Sequence, residues 1–249
     1  MKYLINNLFL SKNPPTPIFS NIHLLILVLC FSILIFILKK RSLFNNQKNR
    51  KFFKNILISA IVVQQLLLYG WYFFTNNFNV IDALPLYPCR LCSIGCLVML
   101  IKPNKNLLDL LFYWGLTGAT LALIVPDTSG LGFPNAMFIQ FYLGHFLILI
   151  SVLFLTITEQ YTPSIQGLKN CYKKSLIYFG LIIIFNHFNH SNYGYLNQKP
   201  GASFLNFIPN YPYHIPILIL FMFFLFFIVY MISSTLKKQT QLNTNKIIT

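Results

Sequence analysis

The chain has 249 residues, of which 56% are hydrophobic and only 9% are charged, and its mean hydropathy is +0.62. A soluble protein of this length needs far more charge to cover its surface, so the composition excludes an ordinary soluble domain and predicts a membrane protein. The net charge of +15 does not indicate a nucleic-acid partner, because the basic residues flank apolar segments and are not interleaved with aromatic residues on one face.

Seven apolar segments follow one another along the chain, each long enough to cross a bilayer whose hydrocarbon core of about 30 Å needs roughly 20 helical residues. They lie near residues 17–38, 52–74, 84–101, 107–125, 136–156, 175–191 and 213–234. The sequence therefore predicts an all-α polytopic membrane protein, a bundle of about seven transmembrane helices over residues 17–234. Residues 1–16 are expected to form an extracytoplasmic segment, and residues 235–249 a cytoplasmic tail.

The basic residues predict the orientation of this bundle. The connections after the first, third and fifth spans, together with the C-terminal tail, carry fifteen of the nineteen Lys and Arg residues. Because cytoplasmic loops carry an excess of Lys and Arg, these regions are expected to face the cytoplasm. The sequence thus predicts a multi-pass protein of the cell membrane with its N-terminus outside and its C-terminus in the cytoplasm.

Polar side chains within the predicted spans gather near the outer face. The third span begins there with "LPLYPCRLCSIGC", which puts its first polar residues about 8–12 Å below that face, and the fifth span returns from the same side. Ionisable groups in a membrane normally face a bundle interior or a wet cavity. We therefore expect one outward-open cavity. Its residues are predicted to be Cys89, Arg90, Cys92, Asp127, Gln140 and His145, with Asn192 and Tyr193 at its rim.

Arg90 has two interpretations at this depth. It could extend to the outer interface or form a structural pair with Asp127. Alternatively, it could hold an anionic group such as a lipid phosphate within the cavity, since a guanidinium recognises phosphate oxygens well. The cost of burying a cation favours the second interpretation, in which Arg90 binds substrate together with Gln140, Asp127, Asn192 and Tyr193.

The thiols beside Arg90 differ from the other cysteines. A nearby cation favours the thiolate, which is the reactive form of cysteine, and Cys89 and Cys92 lie three residues apart on one helical face. This pattern suits either a covalent nucleophile or a redox pair. His145 is the only ionisable residue of its span and is the natural base for a cysteine nucleophile. No metal site and no cofactor are predicted, because the spacing of the histidines is not that of a ligand set.

Four motifs in order resemble the YwaF-like integral membrane proteins. They are "LPLYPC" opening span three, "YWGLTGATLALIVPD" in span four, "FIQFYLGH" in span five and "SNYGYLNQKPGAS" after span six. The likeness covers roughly residues 50–235. This family is similar to animal multi-pass acyltransferases that use a membrane cysteine and histidine to move fatty-acyl chains between phospholipids.

The resemblance implies that Cys89 is the nucleophile and His145 the base. Where many relatives have a histidine before the cysteine, this chain has Tyr87 and Pro88. An alignment shifted onto "CSIG" would select Cys92, which therefore stands as the alternative nucleophile.

The favoured function is phospholipid acyl transfer or another lipid-ester reaction, with membrane lipids and a phospholipid or fatty-acyl substrate as partners. A membrane thiol–disulfide oxidoreductase using Cys89 and Cys92 is the alternative enzyme. A transporter or small-ligand-binding protein using the same cavity is the non-enzymatic alternative.

Overall fold

A computed structural model describes residues 6–200 and 206–248 of the chain, with side chains as far as residue 235. The described residues form helices joined by turns and loops, which confirms the prediction of an all-α polytopic protein. Within the described ranges, seven α-helices fall at the seven predicted spans. They are α1 (Asn21–Lys39), α2 (Gln47–Phe74), α3 (Pro88–Ile101), α4 (Lys105–Ile124), α5 (Ala136–Thr158), α6 (Ile165–Asn189) and α7 (His214–Ile248).

Five of these helices are long and apolar enough to cross a membrane: α1, α2, α4, α5 and the part of α7 as far as Thr235. The third span is shorter than predicted, because the chain enters through an irregular segment and α3 begins at Pro88, where a proline needs no N–H partner. The sixth begins ten residues earlier than predicted, since the Ser164 side chain accepts a hydrogen bond from Gly167 N and caps α6 there.

Some residues of the predicted segments and motifs lie outside the described part of the chain. Residues 1–5 of the predicted N-terminal segment and residues 201–203 of the "SNYGYLNQKPGAS" motif are outside the described residues. In the segment predicted as a tail, 235–249, the backbone of α7 continues as helix to Ile248, and the side chains after residue 235 are outside the description.

Helix α5 lies at the centre of the bundle. It packs against α2, α3 and α4, and most of its side chains are buried. By contrast, α7 packs mainly against α4 and α6 and leaves many large apolar side chains exposed, among them Leu220 and Phe224. Apolar side chains that no protein surface covers are expected where lipid is the solvent. The central position of α5 means that any polar group on its buried face has to be satisfied inside the protein.

Small residues allow α4 to approach α5 closely. A Cβ atom added at Gly115 would lie 2.8 Å from Val152 Cγ2 and 3.2 Å from Ile148 Cγ2, so only glycine fits without displacing α5. Gly118 lies on the same helix without such a contact, since no atom of the described residues lies within 4 Å of a Cβ added there.

Substituting Gly115 with alanine is therefore expected to destabilise the protein by about 1–3 kcal/mol, the usual cost of overpacking a well-packed contact. The matched control is Gly118→Ala, which is expected to be neutral or to gain up to about 1 kcal/mol from the higher helix propensity of alanine. Thermal unfolding in detergent, followed by loss of helical circular dichroism, measures both. Equal stability of the two variants would mean that α4 and α5 are not in close contact at Gly115.

Three connections meet at one end of the bundle: residues 75–87 between α2 and α3, 125–135 between α4 and α5, and the described residues 190–200 and 206–213 between α6 and α7. The N-terminal segment is bound to the second of them, since Gly132 N donates to Asn13 O at 2.9 Å and Asn135 Nδ2 donates to Ser11 O at 2.8 Å. These loops cover the polar layer of the bundle.

The opposite end is held by aromatic packing. The short turn between α1 and α2 places Phe44 with its ring centroid 5.1 Å from Phe53 of α2 and 5.1 Å from Phe154 of α5. The turn therefore has a fixed position relative to the bundle even though its basic side chains are exposed.

Candidate functional site

A cavity of about 250 Å³ opens between α2, α3 and α5 beneath the three loops. Six of the eight residues predicted from sequence line it: Cys89, Arg90, Asp127, Gln140, His145 and Asn192. Cys92 and Tyr193 are not among its lining residues. The bundle thus brings a thiol, a guanidinium and an imidazole from two different helices to one space.

Cys89 is the second residue of α3 and is a partly buried free thiol. Helix α3 begins at Pro88 with Tyr87 as its N-cap residue, so Cys89 lies in the first turn, where backbone N–H groups have no partner within the helix. The sulfur therefore lies at the positive end of a helix and at the wall of the cavity.

His145 occupies the middle of α5, and only 7% of its surface is exposed. Its Nδ1 lies 2.7 Å from the carbonyl oxygen of Phe141. A carbonyl can only accept a hydrogen bond, so Nδ1 carries the proton in the neutral ring and Nε2 keeps its lone pair. This arrangement fixes both the tautomer and the orientation of the ring, which is what a general base requires.

Arg90 is bound by the irregular segment that precedes α3. Its Nη1 donates to Asp82 O at 2.5 Å and to Leu84 O at 2.9 Å, while Nη2 donates to the Tyr72 hydroxyl at 2.8 Å. The guanidinium also lies over the ring of Tyr72, 5.4 Å from its centroid, and over the ring of Tyr87 at 5.0 Å. Three of its five N–H groups are used in this way, so two have no acceptor among the described residues.

The first interpretation of Arg90 included a structural pair with Asp127, and that part of it is wrong. Among the described residues no carboxylate oxygen lies within the 4.0 Å of an ion pair with Arg90. Asp127 instead accepts from the Tyr195 hydroxyl at 2.7 Å and from Ser129 N at 3.1 Å. Burial, together with the Asp127 carboxylate, raises the pKa of Tyr195 well above its usual range, so this phenol stays protonated and keeps donating to Asp127.

Asp82 is a site residue that the sequence did not reveal. Its Oδ2 accepts from the Tyr72 hydroxyl at 3.3 Å, and its buried Oδ1 has no hydrogen-bond partner among the described residues. Burial raises the pKa of Asp82, and the nearby Arg90 charge opposes that rise. No periodicity marks this residue, because it lies in a loop whose path depends on Arg90.

A chain of polar side chains crosses the wall of the cavity from α5 to α2 and α3. Gln140 Nε2 donates to Met137 O at 3.2 Å, and Gln64 Nε2 donates to Gln140 Oε1 at 3.0 Å. Gln65 Nε2 then donates to Gln64 Oε1 at 2.9 Å and to Ser93 Oγ at 3.0 Å. Of these four side chains, only Gln140 was predicted from the sequence as a cavity residue, and Gln64, Gln65 and Ser93 were not. The pair of glutamines in "VVQQLLL" was the available signal, because two adjacent amides in an apolar span need partners.

The two rim residues have different positions. Asn192 lines the cavity, while its Oδ1 accepts from Asn197 N at 3.0 Å and Gln198 N at 2.8 Å, so its side chain also shapes the loop. Tyr193 is fully buried, and its hydroxyl accepts from Leu84 N at 2.9 Å and donates to Val80 O at 3.0 Å. Tyr193 therefore joins two loops, and Tyr195 is the tyrosine that reaches the cavity.

The remaining thiols and imidazoles lie away from this space. Cys92 is 3% exposed and packs in the main hydrophobic core. His214 Nε2 donates to Tyr195 O at 3.0 Å. Within the described part of the chain, no group of three His, Cys, Asp or Glu side chains is arranged to hold a metal ion.

Comparison with known proteins gives one family. The family model described as the TMEM164 family matches residues 18–230, which includes α1 to α6, the first half of α7 and every residue of the cavity. No curated protein and no solved structure matches the chain significantly. Since the match covers most of the sequence, this multi-pass membrane protein belongs to the TMEM164 family.

Proposed function

We propose that the protein is a membrane acyltransferase or related lipid-ester enzyme, in which Cys89 is the nucleophile and His145 the general base. The observation that supports this proposal is the common cavity of the two side chains, with the lone pair of His145 Nε2 left free by the bond from Nδ1 to Phe141 O. The resemblance of four motifs to the YwaF-like proteins, a family that is itself similar to animal cysteine–histidine acyltransferases, supports the same assignment.

The reaction has two halves. His145 Nε2 removes the proton from the Cys89 thiol, and the sulfur attacks the carbonyl carbon of a fatty-acyl ester. The C–O bond of the ester breaks, and the leaving alkoxide takes the proton from the imidazolium. In the second half, His145 removes the proton of an acceptor hydroxyl, whose oxygen attacks the thioester, and the thiolate leaves and takes the proton back.

The residues that line the cavity, and the membrane around it, favour a phospholipid or fatty-acyl substrate. The two N–H groups of Arg90 that remain free suit a phosphate oxygen, and Gln140, Asp127 and Asn192 line the same space. A cavity of about 250 Å³ fits the reacting ester and part of a headgroup, while the acyl chains stay in lipid. By the distribution of Lys and Arg, we propose that the cavity opens toward the outer leaflet of the cell membrane.

A thiol–disulfide oxidoreductase needs both Cys89 and Cys92 to react. The burial of Cys92 in the core, outside the lining of the cavity, argues against that alternative. It also argues against Cys92 as the acyl-transfer nucleophile, although the two cysteines are only three residues apart.

The decisive experiment is intact-mass measurement of the purified protein after exposure to phospholipid. We expect a fatty-acyl adduct on the wild type and none on Cys89→Ala, because that variant has no nucleophile. Cys92→Ala is the matched control, a thiol-to-methyl change one turn away, and it is expected to keep the adduct with a moderate loss of rate.

Two results would contradict the proposal. A Cys89–Cys92 disulfide that a reductant removes would support the oxidoreductase. A wild-type protein that takes no acyl group, and whose Cys89 resists alkylation, would leave the cavity to transport or ligand binding.

A further inference from the structure

The hydrogen-bond chain in the cavity wall has a fixed direction. It starts at the carbonyl oxygen of Met137, which can only accept, so the Gln140 amide nitrogen must point to it and Gln140 Oε1 must face Gln64. Gln64 then presents its own oxygen to Gln65, whose nitrogen donates both of its hydrogens. Turning any of the three amides would bring two donors or two acceptors together.

Ser93 is the last group of this chain and must accept from Gln65. Its hydroxyl proton is therefore left without a defined acceptor in the described structure, although only 4% of Ser93 is exposed. Other buried hydroxyls on helices donate to the carbonyl four residues earlier, as Thr117 does to Tyr113 O at 2.7 Å and Ser175 to Cys171 O at 2.8 Å. Ser93 makes no such bond, and it lines the cavity.

Ser93 also lies one helical turn after Cys89. Residues four apart on a helix have their Cβ atoms about 5–6 Å from each other. Side chains on a helix lean toward its N-terminus, so the Ser93 hydroxyl leans toward the turn that carries Cys89. An acyl carbon bonded to the Cys89 sulfur would have its oxygen within reach of that hydroxyl.

We infer that Ser93 is a binding site for the acyl carbonyl oxygen, and that its hydroxyl donates a hydrogen bond to the oxyanion formed when Cys89 attacks the ester. Gln65 is the positioning residue, because its amide occupies the lone pair of Ser93 and directs the proton into the cavity. This inference rests on the proposed function. It adds the group that stabilises the negative charge, a role that neither Cys89 nor His145 can fill.

The test compares two reactions of the same sulfur. Acylation by a p-nitrophenyl fatty-acyl ester passes through an oxyanion, whereas alkylation by iodoacetamide does not. Ser93→Ala is expected to slow single-turnover acylation of Cys89 by on the order of 10²–10³-fold, as for loss of one oxyanion donor, and to leave the alkylation rate unchanged. Ser151→Ala is the matched control, since it removes a buried hydroxyl of α5 that does not line the cavity.

A second variant acts on the direction of the proton. In Gln65→Glu the carboxylate accepts from Ser93 and turns its proton away from the cavity, so the same selective loss of acylation is expected while the serine is still present. This variant also tests the inference if Ser93→Ala does not fold.

The contrary outcomes are distinct. Equal loss of acylation and alkylation in both variants would mean that the chain only shapes the surroundings of the thiol, and unchanged acylation would mean that Ser93 takes no part. Either result overturns the inference and leaves the proposed function intact. A wild-type protein without acylation at Cys89 would overturn the proposed function, and this inference with it.

Discussion

Replacing His145 with alanine is expected to slow acylation of Cys89 by about 10²–10⁴-fold, the usual contribution of a general base. The thiol is partly buried at the wall of the cavity, so its proton has to pass to a neighbouring group. His145 Nε2 is the base available there, because Nδ1 is held by Phe141 O. The measurement is a single-turnover time course by intact mass.

The pH dependence separates this role from a structural one. Without the imidazole, the reaction depends on spontaneous ionisation of the thiol, so the rate of His145→Ala is expected to rise steadily with pH as the fraction of thiolate grows. His187→Ala is the matched control, since His187 is exposed on α6 and is not among the cavity residues. Acylation by His145→Ala at the wild-type rate would exclude His145 as the base.

The existence and order of the helices could be predicted from sequence because each contains a run of apolar residues, although only five are long and apolar enough to cross a membrane. The first residues of α3 and α6 could not be predicted, because they depend on how each helix is capped locally. Pro88 begins α3 after an irregular entry, and the Ser164 side chain begins α6 within a segment whose lysines reduce its hydropathy. The orientation of the bundle remains a prediction.

A common cavity for Cys89 and His145 could be predicted from their depth in the membrane. Both residues lie a similar distance along helices that enter from the same side. Depth does not tell which arc of a helix faces a cavity. Cys92 lies about 60° to one side of Cys89 around α3 and Ser93 about 40° to the other, from 100° per residue. The cavity is on the Ser93 side, and α3 is apolar enough all round that the sequence does not mark that side.

Arg90 was predicted to bind an anion, but its contacts within the protein were not foreseen. Two of them are hydrogen bonds to backbone carbonyl oxygens of a loop, Asp82 O and Leu84 O. Every residue has a backbone carbonyl, so the sequence does not indicate which ones will accept from a guanidinium. Only Tyr72, near the end of α2, could have been suspected as an aromatic at the right depth.

Replacing Arg90 with lysine is expected to destabilise the protein by about 3 kcal/mol, even though the charge is retained. An ammonium cannot bridge Asp82 O and Leu84 O while it also donates to Tyr72, so it loses at least one charge-assisted hydrogen bond of about 1.5–3 kcal/mol and the stacking between two aromatic rings. Thermal unfolding in detergent measures the loss. Arg41→Lys is the matched control, because Arg41 is exposed in the turn between α1 and α2.

A local readout shows where the stability is lost. Segment 75–87 is held to α3 through Arg90, and Phe78 within it is exposed. Chymotrypsin is therefore expected to cut near Phe78 faster in Arg90→Lys than in the wild type or in Arg41→Lys. If Arg90 served only as a positive charge for a substrate phosphate, lysine would preserve both the stability and the resistance to cleavage. Such a result would remove the loop-fixing role and leave substrate binding as the reason for an arginine at this depth.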